Sequence, residues 1–180
     1  AINASASILT TNTDECTAQK ISDYGAMYSP RYTGYLYYIP KSLRQVTITS
    51  AKRIPENAFY NCDYITSITL NDEIETIGKN AFYNCYNLPE VLIPEGVEKI
   101  DEGAFNSCSS LKKVELPSTL KSIGDLVFYS LNVATVVSRI QTPFEISGTV
   151  FASSYETKYN SDTQKYDTTF VASKGILYVP

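Results

Sequence analysis

A fixed 23-residue period is the feature that most constrains the fold of this chain. The sequence Asn-Ala-Phe-Tyr-Asn-Cys occupies residues 57–62 and recurs unchanged at residues 80–85. Phenylalanine recurs with the same period at Phe59, Phe82, Phe105, Phe128 and Phe151. An isoleucine precedes each of these phenylalanines in one register, at Ile54, Ile77, Ile100, Ile123 and Ile146. Such spacing is typical of a tandem-repeat protein, whose neighbouring repeats share one core. We therefore expect the phenylalanines to form one buried column and the isoleucines another.

Each repeat also contains a short run in which hydrophobic residues alternate with polar ones. One such run contains Leu111, Val114 and Leu116, and the period of two places Val114 and Leu116 on the same face of a strand. Proline follows at Pro117, and at Pro94 in the repeat before, and ends the strand because it has no N–H to donate. The alternating run therefore predicts one short strand in each repeat.

The rest of the repeat predicts a second extended segment and a bend. Residues 97–100 form the second extended segment, and residues 104–108 predict a helical turn or short helix. Gly78 and Gly124 are expected to provide flexible backbone where the chain bends. A single repeat is too short to bury its own hydrophobic side chains, so stacked repeats must bury them together.

The combined pattern closely resembles the BspA-type leucine-rich repeat. In one repeat it runs from Ile77 and Phe82 through Leu88 to Pro94, and the resemblance extends over roughly residues 32–151. It implies a leucine-rich-repeat solenoid, which is a right-handed coil of short parallel strands with helical turns. The solenoid would contain about five to six repeats and be mostly β with short helices. The resemblance also implies a bacterial cell-surface protein that mediates attachment or contacts with other proteins.

Three regions follow from this pattern. Residues 1–31 are polar and lack the repeat, so we interpret them as an N-terminal cap region, and we interpret residues 32–153 as BspA-type leucine-rich repeats. Residues 154–180 are interpreted as a C-terminal insertion loop and a closing strand. Insertions in repeat proteins form loops. The insertion at residues 154–174 is consistent with a hairpin, a capping excursion or a binding loop.

The charge pattern excludes some classes of partner. The chain has 15 basic and 19 acidic residues and a net charge of −4, and the charges are interspersed. Without a basic stripe, nucleic-acid binding is not expected.

No apolar run reaches the roughly 20 residues that a membrane-spanning helix needs, so we expect no membrane insertion by this segment. The first residues lack the basic and apolar regions of a signal peptide, and we expect none within this chain.

The spacing of cysteines and carboxylates gives no indication of catalysis. Cys62, Cys85 and Cys108 lie one period apart, unlike the close pairs of a zinc site, and the chain contains no histidine. We expect these thiols to be free and buried. Acidic residues such as Glu95 and Glu98 fall mostly at turns, and the chain has no phosphate loop or nucleophile elbow. We therefore predict no enzyme activity, no catalytic or metal-binding residues and no cofactor.

Two surfaces are candidates for binding a partner. Strand positions that face away from the core form a candidate concave binding face, which we call the strand face: Gln45, Thr47, Ser67, Thr69, Glu90, Leu92, Lys113 and Glu115. The second candidate is the insertion loop with Tyr155, Tyr159 and Tyr166, because tyrosine is enriched at interfaces. Either surface binds a partner or is simply solvated.

The expected function follows from the family resemblance rather than from any single residue. The resemblance implies a non-enzymatic binding module that is extracellular or on the cell surface. Its partner would be a host or other extracellular protein or a glycan, bound through the solenoid surface in adhesion. The alternative is a structural stalk or spacer that displays other domains.

Overall fold

The computed structural model describes two groups of residues. Side chains are described for residues 43–48, 51–129, 135–142, 144–152 and 164, and the backbone alone for residues 6–8, 24–28, 37–40, 153–160, 165–172 and 176–178. These residues form fifteen strands and no helix. The strands are β1 (Ala6–Ile8), β2 (Tyr24–Tyr28), β3 (Tyr37–Pro40), β4 (Gln45–Ile48), β5 (Arg53–Ile54), β6 (Ser67–Thr69), β7 (Thr76–Ile77), β8 (Glu90–Leu92), β9 (Lys99–Ile100), β10 (Lys113–Leu116), β11 (Ser122–Ile123), β12 (Thr135–Ser138), β13 (Ala152–Asn160), β14 (Lys165–Ala172) and β15 (Ile176–Tyr178).

Parallel strands from successive repeats stack into three sheets. The first sheet has the order β1-β4-β6, the second β15-β12-β10-β8 and the third β11-β9-β7-β5. In each of the central repeats the alternating run supplies one strand, and the extended segment supplies a two-residue strand to the third sheet. Two further pairs, β2 with β3 and β13 with β14, are antiparallel. The predicted solenoid of short parallel strands is therefore confirmed.

The helical turn or short helix predicted at residues 104–108 is not confirmed, since the chain forms a turn without a helix there, and the hydrogen bonds explain why. Ser107 has a φ of 60°, in the left-handed region that a right-handed helix does not enter. The N–H groups of Phe105 and Ser107 donate to the carbonyls of Val127 and Tyr129 in the next repeat, each over 3.0 Å. The amides of Ala104, Asn106 and Cys108 instead donate to carbonyls three residues back, within the turn. Alternate N–H groups thus join neighbouring repeats, and a helix would require all of them for itself.

Gly78 and Gly124 are required because they leave space for a neighbouring backbone, and not because they make the chain flexible, as the sequence suggested. A Cβ atom on Gly78 would lie 2.7 Å from the carbonyl oxygen of Ile54, and one on Gly124 would lie 2.5 Å from the amide nitrogen of Glu102. Gly78 also donates its N–H to that Ile54 carbonyl over 2.9 Å. Glycine is required here because the backbones of two repeats touch, leaving no space for a side chain.

The first and second sheets are separated between β6 and β8, and one proline accounts for the break. The amide of Thr66 donates to the carbonyl of Arg44 over 2.7 Å, and the amide of Lys112 donates to the carbonyl of Pro89 over 3.0 Å. Pro89 occupies the equivalent position in the repeat between them and has no N–H with which to continue the series. The strand stack is therefore interrupted next to Glu90 and Leu92.

The core contains the predicted column of phenylalanines. The rings of Phe59, Phe82, Phe105, Phe128 and Phe151 stack in order, with centroid separations of 5.2, 5.1, 5.6 and 5.2 Å. The first four rings are buried and the last is half-buried. This prediction is confirmed.

The isoleucine column is shorter than predicted. Ile54, Ile77 and Ile100 are buried, Ile123 is half-buried, and Ile146 is 51% exposed. The third sheet ends at β11, which contains Ile123, so no strand of that sheet holds Ile146 against the core. The predicted burial of Ile146 is therefore wrong.

Candidate binding surface

The structure places all eight residues of the strand face on the outer side of the first two sheets. In β6 and β8 the middle residue is buried and the outer two are exposed, as the alternation predicts. Seven of the eight are exposed and Glu115 is half-buried. The registers bring Ser67 beside Gln45 and Leu92 beside Glu115. The face therefore consists of two ordered blocks that meet at the break beside Pro89.

Leu92 is the one apolar residue among the eight of the strand face. It is 64% exposed, whereas the neighbouring repeats place Thr69 and Glu115 at the equivalent positions. A single exposed leucine is common on protein surfaces. Leu92, however, lies over a depression rather than on a flat surface. Its place in the lining of this depression makes the exposed leucine a candidate contact for a ligand.

A groove of about 380 Å³ lies at the carboxyl ends of β6, β8 and β10. The buried residues of its lining are all apolar and are called its floor, and the four charged residues of the lining are exposed or half-buried and are called its rim. It is lined by Ile68, Thr69, Leu70, Asp72, Leu92, Ile93, Pro94, Glu95, Glu115, Leu116, Pro117 and Arg139. The groove crosses the break between the first two sheets, because it contacts β6 on one side and β8 on the other.

Arg139 links two of the carboxylates on this rim. Its Nη2 lies 2.7 Å from Glu115 Oε2, and its Nη1 lies 3.5 Å from Glu95 Oε1. The hydroxyl and the amide of Ser118 donate to Glu95 Oε2 over 2.7 and 2.9 Å, and Lys113 donates to Glu115 Oε1. Arg139 therefore lies between two carboxylates of the rim, each of which has a second hydrogen-bond donor.

The same contacts hold both carboxylates in the ionised form. The hydrogen bond from Ser118 is the main cause that lowers the pKa of Glu95, and Arg139 lowers it further. The hydrogen bond from Lys113 is the main cause that lowers the pKa of Glu115, again with a contribution from Arg139. Both carboxylates therefore remain charged to a lower pH than an isolated glutamate does.

Sequence reasoning missed the part of this site that lies beyond the strands. Arg139, Asp72 and Glu95 follow the strand ends, where the period of two no longer indicates which way a side chain points. The available signal was the repeat itself, since Asp72 and Glu95 are separated by one repeat period. That spacing places the two side chains in neighbouring repeats at the same edge.

The second candidate surface is a β-hairpin, one of the forms expected for the insertion. Strands β13 and β14 pair antiparallel, with Tyr155 opposite Phe170 and Tyr159 opposite Tyr166. The side chains of these tyrosines lie outside the described residues, as does most of the expected cap at residues 1–31. After the hairpin, β15 pairs parallel with β12 in the second sheet.

The three repeated cysteines are structural, as predicted. Cys62, Cys85 and Cys108 are free and buried. The thiols of Cys85 and Cys108 donate to the carbonyls of Phe59 and Phe82 in the preceding repeats, over 3.4 and 3.1 Å. Burial raises the pKa of Cys62 to about 12. A thiol in this state is a poor nucleophile and a poor metal ligand.

The described residues contain no cluster of three or more histidine, cysteine or acidic side chains suited to holding a metal ion. Within the same residues, no helix has the length and apolar character needed to cross a bilayer.

The family is decided by a match over most of the chain. Residues 33–158 match six copies of the BspA type leucine-rich repeat region. The chain belongs to the BspA-type leucine-rich repeat family. Leucine-rich repeat proteins are typically surface or binding modules, and the fold is generally a non-enzymatic scaffold. Among curated proteins, none matches the chain significantly.

Solved structures of leucine-rich repeat proteins resemble this BspA-type chain over part of its length. One, from Bacteroides ovatus, is 32% identical with a TM-score of 0.52, over 56% of this chain and 26% of its own. Another, from T. pallidum, is 25% identical with a TM-score of 0.49, over 56% of this chain and 60% of its own. The chain thus spans about a quarter of the length of the first protein and 60% of that of the second.

Proposed function

We propose that this chain is a non-enzymatic binding module, displayed outside the bacterial cell or on its surface, that adheres to an extracellular protein or glycan through the strand face. The observation that carries the proposal is the 64% exposure of Leu92 over a groove with a charged rim. An apolar centre within a polar rim is the usual arrangement of a protein-binding surface. Membership of the BspA-type family supports the surface location.

The scaffold of this face is suited to recognition because the phenylalanine stack joins the repeats on both sides of the sheet break. The stacked phenylalanines fix the spacing of the repeats, and the parallel registers fix which outward residues are neighbours. A backbone held this way does not have to be ordered when a partner binds, so more of the contact energy contributes to affinity. The outward positions take no part in core packing and are free to serve a ligand.

The test exchanges charges on the strand face and compares the result with a matched exchange elsewhere. Glu90 and Lys113 are register partners in neighbouring repeats, so the variant Glu90→Lys/Lys113→Glu keeps the net charge. Glu98 and Lys121, an exposed pair 2.7 Å apart in the same two repeats, provide the control variant Glu98→Lys/Lys121→Glu. Binding to immobilised extracellular matrix proteins and to a glycan array would be measured for both variants and the parent.

Loss of binding in the strand-face variant alone supports the proposal, provided that both variants melt at the parent temperature. Equal losses in both variants, or none in either, would mean that the strand face is not the binding surface. In that case the β13–β14 hairpin becomes the next candidate, and replacing residues 154–174 by a short Gly-Ser link tests it.

A structural spacer is the second candidate function. It is favoured by the unbroken phenylalanine stack through five repeats, which makes the segment a stiff connector. A spacer predicts that no matrix protein, cell surface or glycan binds the isolated chain. Binding by the parent chain that the strand-face exchange abolishes contradicts the spacer role.

A further inference from the structure

The groove beside Leu92 combines an apolar floor with an excess of negative charge. Three carboxylates line it, those of Asp72, Glu95 and Glu115, against the single guanidinium of Arg139. Glu90 adds a fourth carboxylate on the strand face, two residues before Leu92, and its register neighbour Lys113 adds a second basic group. Acidic groups on the strand of Leu92 and in both neighbouring repeats therefore outnumber the basic groups by four to two.

These carboxylates differ in whether they already have partners. Those of Glu95 and Glu115 are engaged by Ser118, Lys113 and Arg139. Among the described residues, the carboxylates of Asp72 and Glu90 have no ion-pair or hydrogen-bond partner, and both side chains are exposed. The exposed leucine thus has one carboxylate without a partner on its own strand and a second that lines the same groove. This arrangement is complementary to an apolar group flanked by two cations.

We infer that the groove binds an extended segment of a partner protein, in which an apolar side chain covers Leu92 and flanking lysine or arginine side chains pair with Glu90 and Asp72. The inference rests on the proposed function and names the chemistry of its ligand. Glu90 and Leu92 are alternate residues of one strand and lie about 7 Å apart on one face. Alternate residues of an extended partner have the same separation, so a cation, a spacer residue and an apolar residue match this spacing.

The lining of the groove disfavours other classes of ligand. No aromatic ring is among the residues that line it, so it offers no flat apolar surface onto which a sugar ring can pack. Acidic glycans and nucleic acids carry negative charge, which the carboxylates repel. A basic and apolar segment of a protein is the class that both the charge and the apolar floor favour.

The experiment titrates the whole chain with three capped pentapeptides and follows the methyl groups of Leu92 by NMR. The ligand probe is Lys-Thr-Leu-Thr-Lys. Glu-Thr-Leu-Thr-Glu reverses its charge, and Lys-Thr-Ser-Thr-Lys removes its apolar centre. The first peptide should shift the Leu92 methyl signals and bind more weakly as salt is added. The other two should bind at least several-fold more weakly.

Substitutions in the protein then separate the apolar contact from the charge contact. Leu92→Thr, which copies the residue at the equivalent position Thr69, should lower the affinity for the first peptide about tenfold. Asp72→Asn should lower it about two- to fivefold. Glu73→Gln is the matched control, because Glu73 is an exposed neighbour of Asp72 that does not line the groove. Its affinity should equal that of the parent. Affinities for the variants would be read from the remaining shifted signals.

Three results would overturn the inference: equal affinity for the serine and leucine peptides, equal effects of Asp72→Asn and Glu73→Gln, or no effect of Leu92→Thr. The outcome is separable from that of the proposed function. If Glu90→Lys/Lys113→Glu abolishes binding to a matrix protein or glycan while the peptides fail, the strand face binds by other chemistry. If the peptides bind as described and no extracellular ligand does, the groove is real and the surface role is wrong.

Discussion

The ring centroids of Phe82 and Phe105 lie 5.1 Å apart, with the two planes within 11° of parallel. Both side chains are fully buried, and they occupy equivalent positions in neighbouring repeats. The contact therefore joins two repeats, neither of which can bury its aromatic ring alone. The stability of each repeat depends on its neighbours through this stack.

Removing one ring from the middle of the stack should destabilise the fold strongly. We expect Phe105→Ala to lower the free energy of unfolding by about 3–5 kcal/mol, because it removes a buried aromatic side chain and leaves a cavity. Phe151→Ala is the matched control at the end of the column, where the ring is half-buried, and it should cost distinctly less. Equilibrium urea denaturation measures both, and similar losses at the two positions would contradict the stacked core.

Substituting the glycine at a backbone contact should be costly even with the smallest side chain. At Gly78 a Cβ atom would lie 2.7 Å from the carbonyl oxygen of Ile54, which is backbone and cannot rotate away. We expect Gly78→Ala to destabilise the protein by about 1–3 kcal/mol. Gly148→Ala is the control, since nothing lies within 4 Å of its Cβ position, and its effect should stay below about 1 kcal/mol. Thermal melts of the two variants should therefore separate clearly, and coincident melts would exclude the close contact.

The sequence predicted the parts of the fold that depend on periodicity. A period of two correctly indicated that Val114 and Leu116 lie on the buried side of their strand, and the repeat period predicted the phenylalanine column. The bend at residues 104–108 was assigned wrongly, because Ala-Phe-x-x-Cys has the spacing of a helix face. A left-handed residue such as Ser107 is decided by hydrogen bonds to the next repeat, and those are not visible in the spacing.

The candidate site was predicted only where it follows the strands. Thr69, Leu92 and Glu115 were found because alternation places them outward. Asp72 and Arg139 were missed because they come after the strands end, and their approach to Leu92 depends on the path of the turn. Local periodicity carries no information about that path.

Replacing Pro89 by threonine should restore the missing hydrogen bond between the first two sheets. Threonine is the residue at the equivalent position 66, whose N–H donates to Arg44 over 2.7 Å. The new hydrogen bond contributes about 0.5–1.5 kcal/mol, and losing proline costs about 0.4–1 kcal/mol through the unfolded chain. Overall stability should therefore change little.

The informative measurement for Pro89→Thr is amide hydrogen exchange. The new amide at position 89 should be protected to a degree similar to that of Lys112, whose N–H makes the equivalent bond in the next repeat. Exchange at the rate of an unfolded chain would show that the break has a cause other than the proline.

The buried thiols should react only when the protein unfolds. With its pKa raised to about 12 by burial, the Cys62 thiol is essentially un-ionised at pH 8, whereas an ordinary thiol is about a quarter ionised. Its stabilising contribution is complete below the unfolded value of about 8.5. That contribution is lost as the pH rises toward 12.

Labelling of native protein by a thiol reagent at pH 8 should leave Cys62, Cys85 and Cys108 unmodified, and urea should expose all three. A disulfide between any two of them, found by mass spectrometry, contradicts the structure.

Removing Arg139 should raise the pKa of both carboxylates that it contacts. Its guanidinium lies 2.7 Å from Glu115 and 3.5 Å from Glu95, and it lowers the pKa of each, although Lys113 and Ser118 are the larger causes. In Arg139→Gln the pKa values of both should therefore move part of the way back toward the ordinary value. Lys121→Gln removes the same charge from the exposed pair with Glu98 and should move neither value. NMR titration of the carboxyl carbons measures the pKa values of Glu95 and Glu115 in both variants and in the parent.

The sign of the accompanying stability change follows from the direction of the shifts. A carboxyl group whose pKa is lowered by folding stabilises the native state above its unfolded value of about 4.3 and loses that contribution as the pH falls further. Since Arg139 is exposed, its ion pairs contribute little to stability. The parent and Arg139→Gln should therefore differ slightly at pH 7, and the difference should vanish at low pH. A difference that grows on acidification, or unchanged titration of Glu95 and Glu115, would show that Arg139 does not link these carboxylates in solution.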